Sequence, residues 1–175
     1  MIENKNKYNP AIHHRKSLRL KGVDYGKPGF YFVTICCHNR IKMFGHIENK
    51  KMVLNDSGRA ANVCWRAIPE HYSQVILHEW IVMPDHIHGI IELTPINTGV
   101  HNDAPLVLNQ FKSPSNTIGA IVRGFKIGVT KWMRKNTNIH TVWQRNYDCR
   151  IVYRENELEI ITKYIRDNPL NWKKV

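Results

Sequence analysis

Met83-Pro84-Asp85-His86-Ile87-His88-Gly89-Ile90-Ile91 is the stretch that decides the fold. Pro84-Asp85 is a turn signal, and the residues after it alternate between histidine and isoleucine. Side chains two positions apart on a strand point the same way, so His86 and His88 share one face. Ile87 would anchor the opposite face in the core, and Gly89-Ile90-Ile91 continues as an inner strand does. Val75 to Met83 also reads as a strand, so the two segments are predicted to pair antiparallel across the turn. Two neutral imidazoles on one face are good ligands for a divalent ion, but they leave its shell incomplete. Oxygen donors, water or a substrate phosphate must supply the rest, which suits a Lewis acid better than a structural ion.

Working outward, Pro28-Gly29 introduces Phe30-Tyr31-Phe32-Val33-Thr34-Ile35-Cys36, a strand rich in aromatic and β-branched residues. A short strand near Lys51 to Leu54 reads as one arm of a hairpin. Asn55 or Asp56 can cap a helix running to about Glu70, with Ala60, Val63, Cys64 and Ile68 buried. Residues 94–115 are rich in Pro, Asn and Ser and lack a period, which predicts a variable loop. Ile118, Ile121, Val122, Phe125, Val129, Trp132 and Met133 recur at helical spacing, with Arg123, Lys126, Lys131 and Arg134 off that stripe. His140 to Tyr147 reads as the last strand. Asn156 and Glu159 resemble a capping box opening a final helix, which Asn168-Pro169 closes. The order β(β)αββαβα predicts an α/β (α+β) fold: a split βαβ arrangement on one antiparallel sheet.

The 175 residues suggest one domain over 22–175, preceded by a basic arm over 1–21. The chain carries 26 Lys+Arg against 14 Asp+Glu, a net charge of +12. A field of that sign attracts polyanions and makes nucleic acid the expected partner. The arm contributes Arg15, Lys16 and Arg19 as candidate DNA contacts. Four cysteines, Cys36, Cys37, Cys64 and Cys149, form no Cys-x-x-Cys pair, which argues against structural zinc and for free thiols in a reducing compartment. The N-terminus lacks the apolar core of a signal peptide, and no run reaches the roughly 20 apolar residues of a membrane span. A cytoplasmic protein, monomer or homodimer, with no membrane partner is the expectation.

On the final helix, Leu158, Ile161 and Ile165 form the buried stripe. Tyr164 lies beside it, with Asn168 one turn further along the same face. A phenol and an amide oxygen near two imidazoles can serve phosphoryl chemistry. The same spacing also describes a boundary tyrosine and a C-capping asparagine before proline.

The motifs taken together are more specific. Ser17-Leu18-Arg19-Leu20-Lys21-Gly22, Pro28 through Cys36, Met83 through Ile91, Ile121-Val122-Arg123-Gly124-Phe125-Lys126, Trp143-Gln144-Arg145-Asn146-Tyr147 and Tyr164 through Trp172 resemble the REP-associated tyrosine transposases, a family of single-tyrosine HUH transposases. The resemblance runs in order from about residue 12 to the C-terminus. It implies a ferredoxin-like, RRM-like antiparallel sheet with helices on one face, the two-histidine strand at its centre, and a catalytic C-terminal helix. It implies Mg²⁺ or Mn²⁺ held by His86 and His88, with Asn168 completing the shell and Tyr164 as nucleophile. It departs from the family at one place: relatives often carry Asp-His-Ile-Ile-Arg where this chain reads Asp148-Cys149-Arg150-Ile151-Val152, so the family histidine falls on Arg150 or is absent.

A free phenol titrates near pH 10, so a tyrosine nucleophile sheds its proton as it attacks. The implied reaction is metal-dependent nicking and rejoining of single-stranded or hairpin DNA through a 5′-phosphotyrosine. Arg123, Lys126, Lys131, Arg134 and Arg145 are candidate backbone contacts, and Trp143 a candidate base-stacking platform. The alternatives are a non-catalytic RRM-like nucleic-acid-binding protein and a metal-dependent hydrolase that leaves Tyr164 structural.

Overall fold

The computed structural model describes residues 24–95 and 116–172. The basic arm, with Arg15, Lys16 and Arg19, lies outside the described residues, as does all of the 94–115 loop but Thr94 and Pro95. Four strands form one sheet: β1 (Gly29–Cys36), β4 (Val75–Val82), β5 (His86–Leu93) and β6 (Asp148–Val152). Their order is β4-β5-β1-β6, and every neighbouring pair is antiparallel. The first and third of these strands in the chain thus occupy the centre, the arrangement expected of a ferredoxin-like sheet. Strands β2 (Gly45–Glu48) and β3 (Lys51–Leu54) make a separate hairpin.

The strand period sorts the side chains of β1 and β5 onto two faces. Tyr31, Val33, Ile35, Ile87 and Ile91 are fully buried against helices α1 (Asp56–Arg66) and α3 (Ile118–Asn136). Trp65 of α1 and Phe125 of α3 meet edge to face there at 5.2 Å. Gly89 makes room for that indole, because a Cβ at this position would lie 2.2 Å from Trp65 Cζ2. On the opposite face, Ile90 and Val152 pack with Ile161 and Ile165 of helix α4 (Glu155–Arg166), flanked by Phe30 and Phe32. Two ion pairs fasten α4 to the strands: Arg166 Nε to Glu79 at 2.7 Å and Arg150 Nη2 to Glu157 at 3.1 Å. Arg150, where the family histidine was sought, is therefore a tie between β6 and α4.

Three expectations need correction. Helix α1 is capped by Asn55, whose side chain accepts from Gly58 N–H at 2.9 Å, but it buries Ala61 and Trp65. Val63 is 65% exposed, and the helix stops at Arg66 before a separate four-residue turn, α2 (Ile68–His71), that holds Pro69. The last strand is Asp148–Val152, and 140–147 is irregular apart from a single bridge between Cys37 and Trp143. In that segment the Lys126 ammonium donates to the carbonyls of Gln144 and Asn146, each at 2.9 Å, in place of a neighbouring strand. Helix α4 has Arg154 at its N-cap with no side-chain cap; Glu157, not Glu159, reaches back to the Tyr153 N–H.

All four cysteines are free thiols. Among the described residues no helix is long and apolar enough to cross a membrane.

Candidate active site and basic groove

The hairpin turn between β4 and β5 is held from three sides. Met83 N–H donates to His86 O at 2.8 Å, Cys37 N–H to Asp85 O at 2.8 Å, and Phe44 N–H to Pro84 O at 3.0 Å. These bonds fix the start of β5, and with it both histidines. His86 and His88 are 4% and 6% exposed on the α4 face, their ring centroids 4.5 Å apart. They lie where their two-residue spacing put them, on one face of an inner strand.

Each ring is oriented through Nδ1. His86 Nδ1 lies 2.5 Å from Asp85 Oδ1, and since a carboxylate only accepts, Nδ1 carries a proton and Nε2 is the ring nitrogen left to face a ligand. His88 Nδ1 is 2.9 Å from the Thr34 hydroxyl, its cross-strand partner on β1. Burial, then the neighbouring His86, pushes the His88 pKa down to about 3, so the ring is neutral at physiological pH and fit to ligate. A carboxylate behind a ligating histidine is the usual support of a metal ligand.

Tyr164 of α4 completes the cluster. Its hydroxyl is 3.3 Å from His88 Nε2, and its ring stands edge-on to Phe32 at 6.2 Å. The side chain is 49% exposed, so the phenol is reachable from solvent. Asn168, one turn on, is 9% exposed, and its carboxamide has no hydrogen bond among the described residues. Asn168 lines the cleft, so its amide oxygen is available to a ligand there. Trp172 stacks on His86 at 6.1 Å and closes one side. These groups, with Arg40, Lys42 and Asn171, line a cleft of about 700 Å³. Among the described residues no three His, Cys, Asp or Glu side chains make a metal-ligand set. A divalent ion would thus depend on His86, His88, the Asn168 amide and oxygens from outside the chain, a mixed nitrogen and oxygen donor set.

The basic residues gather elsewhere. Arg123, Lys126, Lys131, Arg134 and Arg145 all line one groove of about 660 Å³ along α3, floored by Val122, Ile127 and Tyr147. Sequence position predicted this for the α3 residues; Arg145 joins them from the irregular segment. Lys126 differs from the others. Burial lowers its pKa to about 8, and its ammonium is engaged by the two carbonyls named above. Trp143 is packed between Phe44 and Phe125, at 5.4 and 5.6 Å, and donates its indole N–H to Lys126 O at 3.1 Å. The structure therefore places Trp143 as a packing residue rather than an open platform.

Six members of the cleft, Thr34, Arg40, Lys42, Asp85, Asn171 and Trp172, were not singled out from sequence. Asp85 reads as a turn residue, Thr34 needs the β1–β5 register, and Trp172 needs the fold of the C-terminal turn. Arg40 arrives through a left-handed turn with no local signature.

The chain is 48% identical over 171 residues to an uncharacterized protein of Haemophilus influenzae, covering 95% of this chain and 94% of that one. The two belong to one family. No family model matches the chain. Among solved structures, a REP-associated tyrosine transposase bound to a REP hairpin matches with a TM-score of 0.60 at 15% identity, over 87% of this chain and 73% of that one. The chain has the fold of that transposase, the family its motifs resemble. A candidate transposase of Deinococcus radiodurans aligns over 85% of this chain and 97% of its own, at 18% identity and a TM-score of 0.44.

Proposed function

We propose that this chain is a single-tyrosine DNA transposase that cuts and rejoins single-stranded or hairpin DNA with Mg²⁺ or Mn²⁺. The observation that carries this reading is the Tyr164 hydroxyl, half-exposed in a cleft and 3.3 Å from His88 Nε2. Neither the histidine pair nor the tyrosine alone would suffice, since both have ordinary packing roles.

In this reading His86, His88 and Asn168 would hold the ion. Bound there, the ion would polarise a phosphoryl oxygen and stabilise charge developing on it. Tyr164 Oη attacks phosphorus, the P–O3′ bond breaks, and the 5′-phosphate stays on the tyrosine. The phenolic proton leaves as the new bond forms, and the departing 3′-oxygen takes up one proton. One phosphodiester replaces another, so a second 3′-hydroxyl can reverse the step without ATP. Asp85 sets the tautomer of His86, and the Thr34 hydroxyl, which can donate or accept, orients the His88 ring. Phe32 and Trp172 fix the positions of the phenol and of His86.

The solved relative that shares this fold holds a REP hairpin. Hairpin DNA is accordingly the first substrate to try, and single-stranded arms leave bases open to be splayed and read. The α3 groove would track a phosphate backbone with Arg123, Lys131, Arg134 and Arg145. The test is a hairpin oligonucleotide with single-stranded arms, taken from the DNA flanking the gene. With Mg²⁺ or Mn²⁺ it should give a protein–DNA adduct that survives denaturing gel electrophoresis. Salt-dependent binding with no adduct under any ion would instead support the non-catalytic binding module. Cleavage without an adduct would support the hydrolase.

A further inference from the structure

The cleft holds a cation that the reaction above does not yet use. Residues 38–40 form a tight turn after β1, and two consecutive non-glycine residues in it are left-handed, Asn39 at φ 49° and Arg40 at φ 55°. Asparagine tolerates that region, but for arginine it costs on the order of 1 kcal/mol. Glycine would serve the turn alone better. The conformation persists because His38 N–H donates to Val142 O at 2.8 Å, Arg40 N–H to Cys37 O at 3.1 Å, and Ile41 N–H to His38 O at 3.1 Å. The turn sends the arginine side chain back over the end of β1 into the cleft that holds Tyr164.

There its Nε lies 3.1 Å from Asp85 Oδ2 and its Nη1 donates to Cys36 Sγ at 3.0 Å. Its Nη2 has no partner among the described residues, and 49% of the side chain is open. Asp85 is saturated: one oxygen on His86, the other on Arg40, the side chain 8% exposed. The guanidinium is therefore fixed at two points and presents its remaining donors to whatever occupies the cleft. A planar, always-charged donor held at two points in the cleft that Tyr164 also lines suits an anionic oxygen.

We propose that Arg40 is a catalytic residue that donates to a non-bridging oxygen of the scissile phosphate. This rests on the tyrosine-transfer reading above. As the Tyr164 Oη–P bond forms and the P–O3′ bond breaks, negative charge grows on the non-bridging oxygens. Arg40 stabilises it by hydrogen bonds and exchanges no proton. Its contact with Asp85 alone would make it a positioning residue for His86, and the two roles predict different responses to the charge of the substrate.

The experiment is single-turnover adduct formation on the flanking-DNA hairpin, first to map the cut, then with either a phosphodiester or a neutral methylphosphonate at that position. Arg40→Ala should slow the phosphodiester reaction about 100-fold, yet slow the methylphosphonate reaction about 5-fold or less, because the charge it compensates is gone. Arg40→Lys should regain part of the phosphodiester rate. Arg40→Gln, which keeps a donor for Asp85, repeats the comparison should the alanine variant not fold. Equal losses on the two substrates would overturn the assignment and leave Arg40 acting only through Asp85. A wild-type chain that forms no adduct would overturn the tyrosine-transfer reading, and this proposal with it.

Discussion

The cleft under α4 and the groove along α3 differ in nearly every physical respect. The cleft brings together two buried imidazoles held by their neighbours, a half-exposed phenol, an amide, and the ion-paired Asp85 and Arg40. The groove has an apolar floor and a rim of exposed arginine and lysine. Chemistry needs groups held rigidly and stripped of water. Backbone binding needs only charge at roughly the spacing of phosphates. If the proposed function holds, the difference teaches that cutting and holding DNA fall to different parts of this chain, so variants should separate them.

The largest expected effect is at the proposed metal ligands. His86→Ala should abolish adduct formation while leaving hairpin binding, measured by fluorescence anisotropy, within about 2-fold, since affinity comes mainly from phosphate contacts elsewhere. Parallel loss of both would erase the distinction and make the histidine structural. Next is the support behind that ligand. Asp85→Asn should weaken Mn²⁺ binding, followed by titration calorimetry, about 10- to 100-fold, the usual cost of losing such a partner. Unchanged Mn²⁺ affinity would mean that Asp85 serves the turn alone.

The third prediction concerns the other face of β5. Gly89→Ala places a methyl group where the Trp65 ring lies, and neighbouring side chains can yield only part of that distance. Overpacking of this kind costs about 1–3 kcal/mol, to be read from urea denaturation. A neutral result would show the α1 side to be looser than the cleft side. The smallest effect is in the groove. Replacing Arg123 and Arg134 should weaken binding across sequences and flatten its salt dependence by about 0.7 per lost single-strand contact. Lys126→Ala should instead lower thermal stability, because its ammonium holds the 144–146 carbonyls. An unchanged salt slope in the arginine pair would place the DNA path on another face.

Much of this contrast was legible in the sequence, and the parts that were not share a cause. The period of two in 86–91 reports which face each histidine takes. The long stripe of α3 reports its buried side, and the charges left over define the groove. Helix α1 was misread because Ala60, Val63 and Cys64 also recur at helical spacing. What admits Trp65 is the missing Cβ of Gly89, which lies on another element. The strand expected at 140–147 has suitable propensity, but its carbonyls are claimed by Lys126 from α3. Asp85, Thr34, Arg40 and Trp172 entered the cleft through register and turn geometry, which no local pattern encodes.

The central claim is that Tyr164 carries the DNA. The chain has seven tyrosines, and Tyr153, 77% exposed at the exit of β6, is an accessible rival. The most direct measurement is peptide mapping of the trapped adduct, run beside Tyr164→Phe. The phenylalanine variant removes one oxygen from a half-exposed ring, so folding and hairpin binding should persist. The predicted result is a 5′-phosphotyrosine on Tyr164 in the wild-type chain and none in the variant. DNA mapped to another tyrosine, or an adduct that persists in Tyr164→Phe, would contradict the account.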